Sequence, residues 1–171
     1  MTEKHSTDAK TTYNRHNIRE KVMQALYAFE ISKSPLPHIV DTVLEDLQAH
    51  PAEYDFAKRL LMQTVSHQAE FDGIIKQKAV HWDFYRIALI DRLLLRMGIC
   101  EFMYFTDIPP KVTINEAIEI AKEFSTEKSG TFLNGILDSI LIDLKNSGKL
   151  DKQGRGLYDT LPPKPSSADE E

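Results

Sequence analysis

The chain has 171 residues, 42% hydrophobic and 27% charged, which is enough for one compact domain with a sizeable core. Its single cysteine, Cys100, excludes an internal disulfide and makes a reducing, cytoplasmic setting the default; no run nears the roughly 18 apolar residues of a membrane span, and the start does not read as a signal peptide. A net charge of −5 argues, taken alone, against a general nucleic-acid binder.

Breakers are few. Five prolines fall in three small groups before residue 146, and only Gly73, Gly98, Gly130 and Gly135 interrupt the same stretch. Without alternating β-branched runs, the chain reads as all-α. Residues 1–13 are polar and are expected to form a disordered arm. The first helix is predicted over 14–33, with Ile18, Val22, Ala25, Leu26 and Phe29 on one stripe. Pro35 and Pro37 open a second helix carrying Ile39, Val43, Leu44 and Leu47. Pro51 opens a third, long helix with Phe56, Leu60, Leu61, Val65, Phe71 and Ile75 inward. Residues 81–86 suit a short helical turn. The segment 89–105 is apolar on nearly every side, as a central covered helix requires. Thr113 and Glu116 have capping-box spacing and predict a helix reaching Phe124. A last helix over 129–146 points Leu133, Ile136, Leu137, Ile140, Leu141 and Leu144 inward, and Gly148 stops it. Residues 149–171, rich in Pro, Gly, Ser and charge, are expected to be a disordered tail. The domain spans 14–148, divides near Trp82 into subdomains of about 14–80 and 81–148, and is expected to be one rigid unit.

Catalytic constellations are missing from the sequence. The six histidines show no i,i+4 pair and no cysteine partners, so neither zinc nor any other metal site is expected. The single G-x-G, at Gly154 and Gly156, follows no strand, so no cofactor is expected; Cys100 sits in the most apolar segment and reads as a buried, inert thiol. An enzyme is not expected.

The net charge is an average over unlike parts. Residues 1–33 carry +2, residues 34–148 carry −6 and residues 149–171 carry −1. Arg15 and Arg19 are four apart on the first helix and share a face, with His16 and Tyr13 beside them. A basic edge with an aromatic can grip a single-stranded backbone; the alternative is an ordinary solvated helix start. A second group, Lys128-Ser129-Gly130-Thr131-Phe132, puts a lysine, two hydroxyls and free N–H groups at a helix start, where a phosphate could bind. The alternative there is that Ser129 only caps and Phe132 only packs.

Several runs then match a family. Arg19-Glu20-Lys21-Val22-Met23-Gln24-Ala25-Leu26-Tyr27, the stretch from Trp82 to Ala88 continuing through Asp91-Arg92 to Arg96 and Glu101, Ile108-Pro109-Pro110-Lys111-Val112-Thr113-Ile114-Asn115-Glu116-Ala117, and Phe132-Leu133-Asn134-Gly135-Ile136-Leu137-Asp138 occur in the family's order and spacing. The chain resembles the NusB family of transcription antitermination factors over about 15–146. The resemblance implies an all-α bundle of about seven helices in two packed three-helix subdomains. It also implies binding of single-stranded boxA RNA from nascent ribosomal RNA leaders, together with ribosomal protein NusE. Other Nus factors and RNA polymerase join in the assembled complex, some relatives form homodimers when free, and no catalysed reaction is implied.

By the same resemblance, Arg15, His16 and Arg19 match the family's RNA-binding arginine-rich helix start, and Phe124, Lys128, Ser129 and Phe132 match the continuation of that surface. Asp91, Arg92 and Glu101 match the side facing NusE. His16 and Asn17 replace arginines usual there, which implies fewer phosphate contacts and weaker affinity. Ser125 stands where a glycine is common, and Lys128 where relatives can be acidic. Arg19→Ala is expected to weaken RNA binding and its salt dependence. Leu26 and Trp82 read as core, Tyr27 as either core or contact, and Gly135 as allowing close helix packing. Two other readings stand beside this one: an interaction module with little RNA affinity, and the isolated RNA-binding domain of a ribosomal RNA methyltransferase.

Overall fold

The computed structural model describes residues 12–158. Among them the chain forms seven α-helices and no strand: α1 (Arg15–Ser32), α2 (Leu36–Val43), α3 (Pro51–Ser66), α4 (Gln68–Lys78), α5 (Leu89–Tyr104), α6 (Pro110–Phe124) and α7 (Ser129–Asn146). Short 3₁₀ turns lie at Glu45–Leu47, Phe84–Arg86 and Gly154–Leu157. The all-α expectation holds. Of the disorder expected for residues 1–13 and 149–171, residues 1–11 and 159–171 lie outside the described residues, and Tyr13 of the expected arm instead packs on the core and donates to Asp46 Oδ2 at 2.7 Å.

Local chemistry sets the helix ends. The Asn14 side chain accepts from the Asn17 amide and caps α1, and Lys33, at φ 57°, closes it with its N–H on the Phe29 carbonyl. Pro51 and Pro110 begin α3 and α6, where a missing N–H costs nothing. α5 is the hub and touches α1, α3, α4, α6 and α7. Its residues from Leu93 to Phe102 are buried without a break. α6 packs against both α5 and α7, and α1 against α2, α3 and α5. Gly98 of α5 lets α7 approach closely, since a Cβ there would sit 2.8 Å from Leu137 Cδ2.

Four local expectations are corrected. The long helix opened by Pro51 breaks at His67, whose ψ of 17° turns the chain into α4. The break lets α3 pack on α1 while α4 packs on α5 and α7, which one straight rod could not do. α6 starts three residues before Thr113, so Thr113 is no cap, and its hydroxyl is committed to Glu101 instead. Gly135 has open space where a Cβ would be, so the close helix approach belongs to Gly98. Residues 149–158 are not a free tail. Leu150 packs on the core, Lys152 donates to the Glu101 and Phe105 carbonyls at 2.8 and 2.7 Å, and Gln153 N–H donates to the Thr106 carbonyl at 2.9 Å.

Candidate nucleic-acid and partner interface

The start of α1 brings together three of the singled-out side chains, in three different environments. Arg15 is exposed, and its guanidinium lies 3.7 Å above the Phe56 ring. Phe56 meets Phe105 edge-on at 5.7 Å, and the Arg59 guanidinium covers Phe105 at 4.2 Å. Two arginines thus cover a buried aromatic pair from outside. Burial and the neighbouring Arg19 both push the Arg15 pKa down from its usual range. His16 sits between two carboxylates, Glu116 at 2.7 Å and Glu20 at 2.9 Å. Burial works against charging its ring, but the Glu116 hydrogen bond and both carboxylates outweigh it and raise the pKa above 6.5.

Arg19 shares this face by spacing but turns inward. It is 5% exposed, and its Nε donates to Glu101 Oε1 at 2.6 Å. The other oxygen of Glu101 accepts from Thr113 Oγ1 at 2.6 Å, and Glu101 is itself 2% exposed. Arg19, expected to contact RNA, and Glu101, expected to contact the partner, are both placed in this buried network. Their charges face each other in the interior, and neither side chain is presented to a ligand.

The start of α7 forms the second group. Asp91, 5% exposed, accepts from Ser125 Oγ at 2.7 Å and from Ser129 Oγ at 2.8 Å. Ser129 is buried, and its hydroxyl also receives the Thr126 amide at 3.2 Å. These residues fix the loop, so Asp91 and Ser129 shape the surface without being on it. Ser125, at φ −127°, is extended and needs no glycine; its hydroxyl joins the Asp91 cluster. Lys128 is exposed. Phe132 is half-buried, with its ring 5.2 Å from that of Trp82. The two rings line an open groove of 830 Å³ with Arg86, Ile87, Lys128 and Ile136. Arg92 lies with its guanidinium 5.3 Å over the Phe84 ring, and its buried Nε has no hydrogen-bond partner. Phe124, half-buried, lines a smaller cleft of 240 Å³ with Met23, Gln24, Tyr27 and Ile90.

Both groups border α6. His16 contacts Glu116 midway along the helix, and Lys128 follows its last turn. At 1.5 Å per residue, roughly 12 Å of helix axis separates Glu116 from Phe124. Tyr27 and Trp82 are exposed rather than core residues, at 43% and 52%. Lys152 and Arg59 flank the first group and were not singled out from the sequence, because nothing local links them to Arg15. No cluster of three or more His, Cys, Asp or Glu suited to a metal occurs among the described residues. No helix there is long and apolar enough to cross a membrane.

The model of the NusB family matches residues 16–141. The chain belongs to the NusB family. It is 45% identical over 145 residues to the transcription antitermination protein NusB of Salinibacter ruber, covering 84% of this chain and 91% of that protein. The NusB of Chloroherpeton thalassium is 43% identical over 152 residues, covering 88% of this chain and 72% of that one. Among solved structures, NusB of T. maritima superposes with a TM-score of 0.71 at 34% identity, covering 78% of this chain and 94% of that chain. A structure of the antitermination factors NusB and NusE in complex with double-stranded RNA matches with a TM-score of 0.68 at 25% identity, covering 75% of this chain and 96% of that chain. The NusB fold therefore accounts for the helical order described above.

Proposed function

We propose that this chain is a transcription antitermination factor. It binds boxA-type RNA of nascent ribosomal RNA leaders as a heterodimer with NusE and keeps ribosomal RNA transcription processive. The observation that carries this reading is the likeness, over nearly the whole of the matched chain, to a NusB solved with NusE and RNA. The surface chemistry supports it. Arg15 and Lys128 offer exposed cations, and Phe132 and Trp82 offer ring faces beside Lys128. Cations of this kind position a phosphate backbone, and aromatic faces stack its bases.

Within this reading Arg15, His16, Lys128, Phe124 and Phe132 are the direct RNA residues. Arg19, Ser129 and Asp91 hold the surface in shape. Arg92, beside the exposed Trp82–Arg86 turn, belongs to the side that meets NusE, and Glu101 supports it from inside. The module then joins other Nus factors on RNA polymerase. With so few exposed cations on α1, the chain alone binds RNA weakly and gains affinity from its partner's surface. A gel shift with boxA RNA, with and without NusE, tests the reading: the chain with NusE shifts the RNA at lower concentration than either protein alone. Equal shifts with and without NusE would count against the heterodimer.

A further inference from the structure

The cations of the first turns of α1 are held in two different ways. Arg19 is paired with Glu101, Lys21 with Asp46 at 2.9 Å, and His16 sits between Glu20 and Glu116. Each of these groups faces a carboxylate, which offsets its charge toward any outside anion. Arg15 is held otherwise. Glu53, Glu101 and Asp107 act on it only through space, with no hydrogen bond or ion pair to it among the described residues. Its support is the Phe56 ring, whose centre lies 3.7 Å from Cζ.

The ring itself has little freedom. Phe56 is buried on α3 and meets the buried Phe105 edge-on, with the two planes at 82°. Arg19 lies farther from the same ring, at 5.5 Å, and its charge repels that of Arg15. The negative ring face attracts both cations and so offsets a like-charge contact one helical turn apart. A guanidinium stacked on a ring spends its flat face and keeps its N–H edge for an anion. A carboxylate partner would take that edge and cancel the charge.

We propose that Phe56 is a positioning residue for nucleic-acid binding: its ring holds the Arg15 guanidinium flat, leaving the charge uncompensated and the N–H edge available to an RNA phosphate. This rests on the RNA-binding reading above. The phosphate meets a side chain whose rotamers are already restricted, so less ordering accompanies binding.

The test is a double-mutant cycle on boxA RNA affinity, measured for the full-length chain with NusE across a salt series. It compares the unaltered chain with Arg15→Ala, Phe56→Leu, the two together, and Phe56→Tyr. Arg15→Ala is expected to weaken binding and to reduce the steepness of log K against log salt by about 0.7, one phosphate contact to a single strand. Phe56→Leu is expected to weaken binding about two- to fivefold, the worth of an exposed cation–π contact, and to add nothing once Arg15→Ala is present. Phe56→Tyr keeps the ring face and is expected to bind like the unaltered chain. Equal weakening by Phe56→Leu in both backgrounds, no weakening in either, or an equal loss with Phe56→Tyr would overturn the positioning role alone. No binding by the unaltered chain, or no effect of Arg15→Ala, would overturn the RNA role of Arg15 and the proposal together. A spectrum of the unaltered chain asks the same question without touching the core. The ring current is expected to move the Arg15 Nε proton upfield of those of the exposed Arg86 and Arg155, and a resonance at their position would overturn the stacking.

Discussion

Single residues on this surface divide by what their charges already face. Arg19 and Glu101 are a buried, hydrogen-bonded pair, and removing one partner strands the other charge away from water. Arg19→Ala is expected to cost about 3–5 kcal/mol of stability in urea unfolding, the range for breaking a buried pair. Any effect on RNA affinity then follows from loosening α1, and a melting point within a degree of the unaltered chain would refute this assignment. His16 titrates in the opposite sense to a surface carboxylate. Its folded pKa is raised above the ordinary 6.5, so the native state holds the proton more tightly than the unfolded chain. The stabilisation is complete below about pH 6.5 and is lost as pH rises through the raised folded value. His16→Gln should flatten the dependence of unfolding free energy on pH across that window. Cys100 takes no part in this chemistry, since burial pushes its thiol up to about 12. Slow labelling by a thiol reagent in native buffer, becoming fast in denaturant, is the expected outcome.

At the scale of elements, the Gly156 contact makes a clear prediction. Gly156→Ala forces a methyl into the Thr106 carbonyl, so residues 152–157 must lift off that loop. Faster amide exchange at Gln153, with little change in α5 to α7, is the expected result; unchanged exchange would show that the loop yields instead. Residues 149–158 also show where a sequence can be read and where it cannot. Apolar periodicity located α1, α2, α5 and α7, because each buries a stripe whose spacing depends only on its own residues. It carried straight across His67, since Leu60, Leu61, Phe71 and Ile75 face the core on both sides of the break. The docking of residues 149–158 was invisible for a related reason: Lys152, Gln153 and Gly156 make polar and close-approach contacts to a segment about 50 residues earlier, and composition alone suggests disorder. The family motifs located the site, but not the direction each side chain takes. Arg19 has the spacing of a surface arginine, and only its distance to Glu101, 82 residues away, turns it inward.

For the whole molecule, the charge distribution and the site geometry point the same way. A body of net −6 over residues 34–148 repels a polyanion, so exposed cations such as Arg15 and Lys128 must carry the approach. A basic ribosomal partner would find that acidic body complementary. Phe132→Ala should weaken the RNA complex by about 1–3 kcal/mol while leaving its salt slope unchanged, since stacking carries no counterion term. Intact affinity would place Phe132 outside the contact.

Trp82 gives this molecule a built-in optical probe. It is the only tryptophan in the chain, half in solvent, and its indole leans on Phe132 beside Lys128. Emission excited at the indole band therefore reports one known spot, with no label and no background from a second fluorophore of its kind. Quenching on addition of RNA, or a blue shift on addition of a protein partner that dries the groove, would say which of the two covers that spot and in what order they arrive.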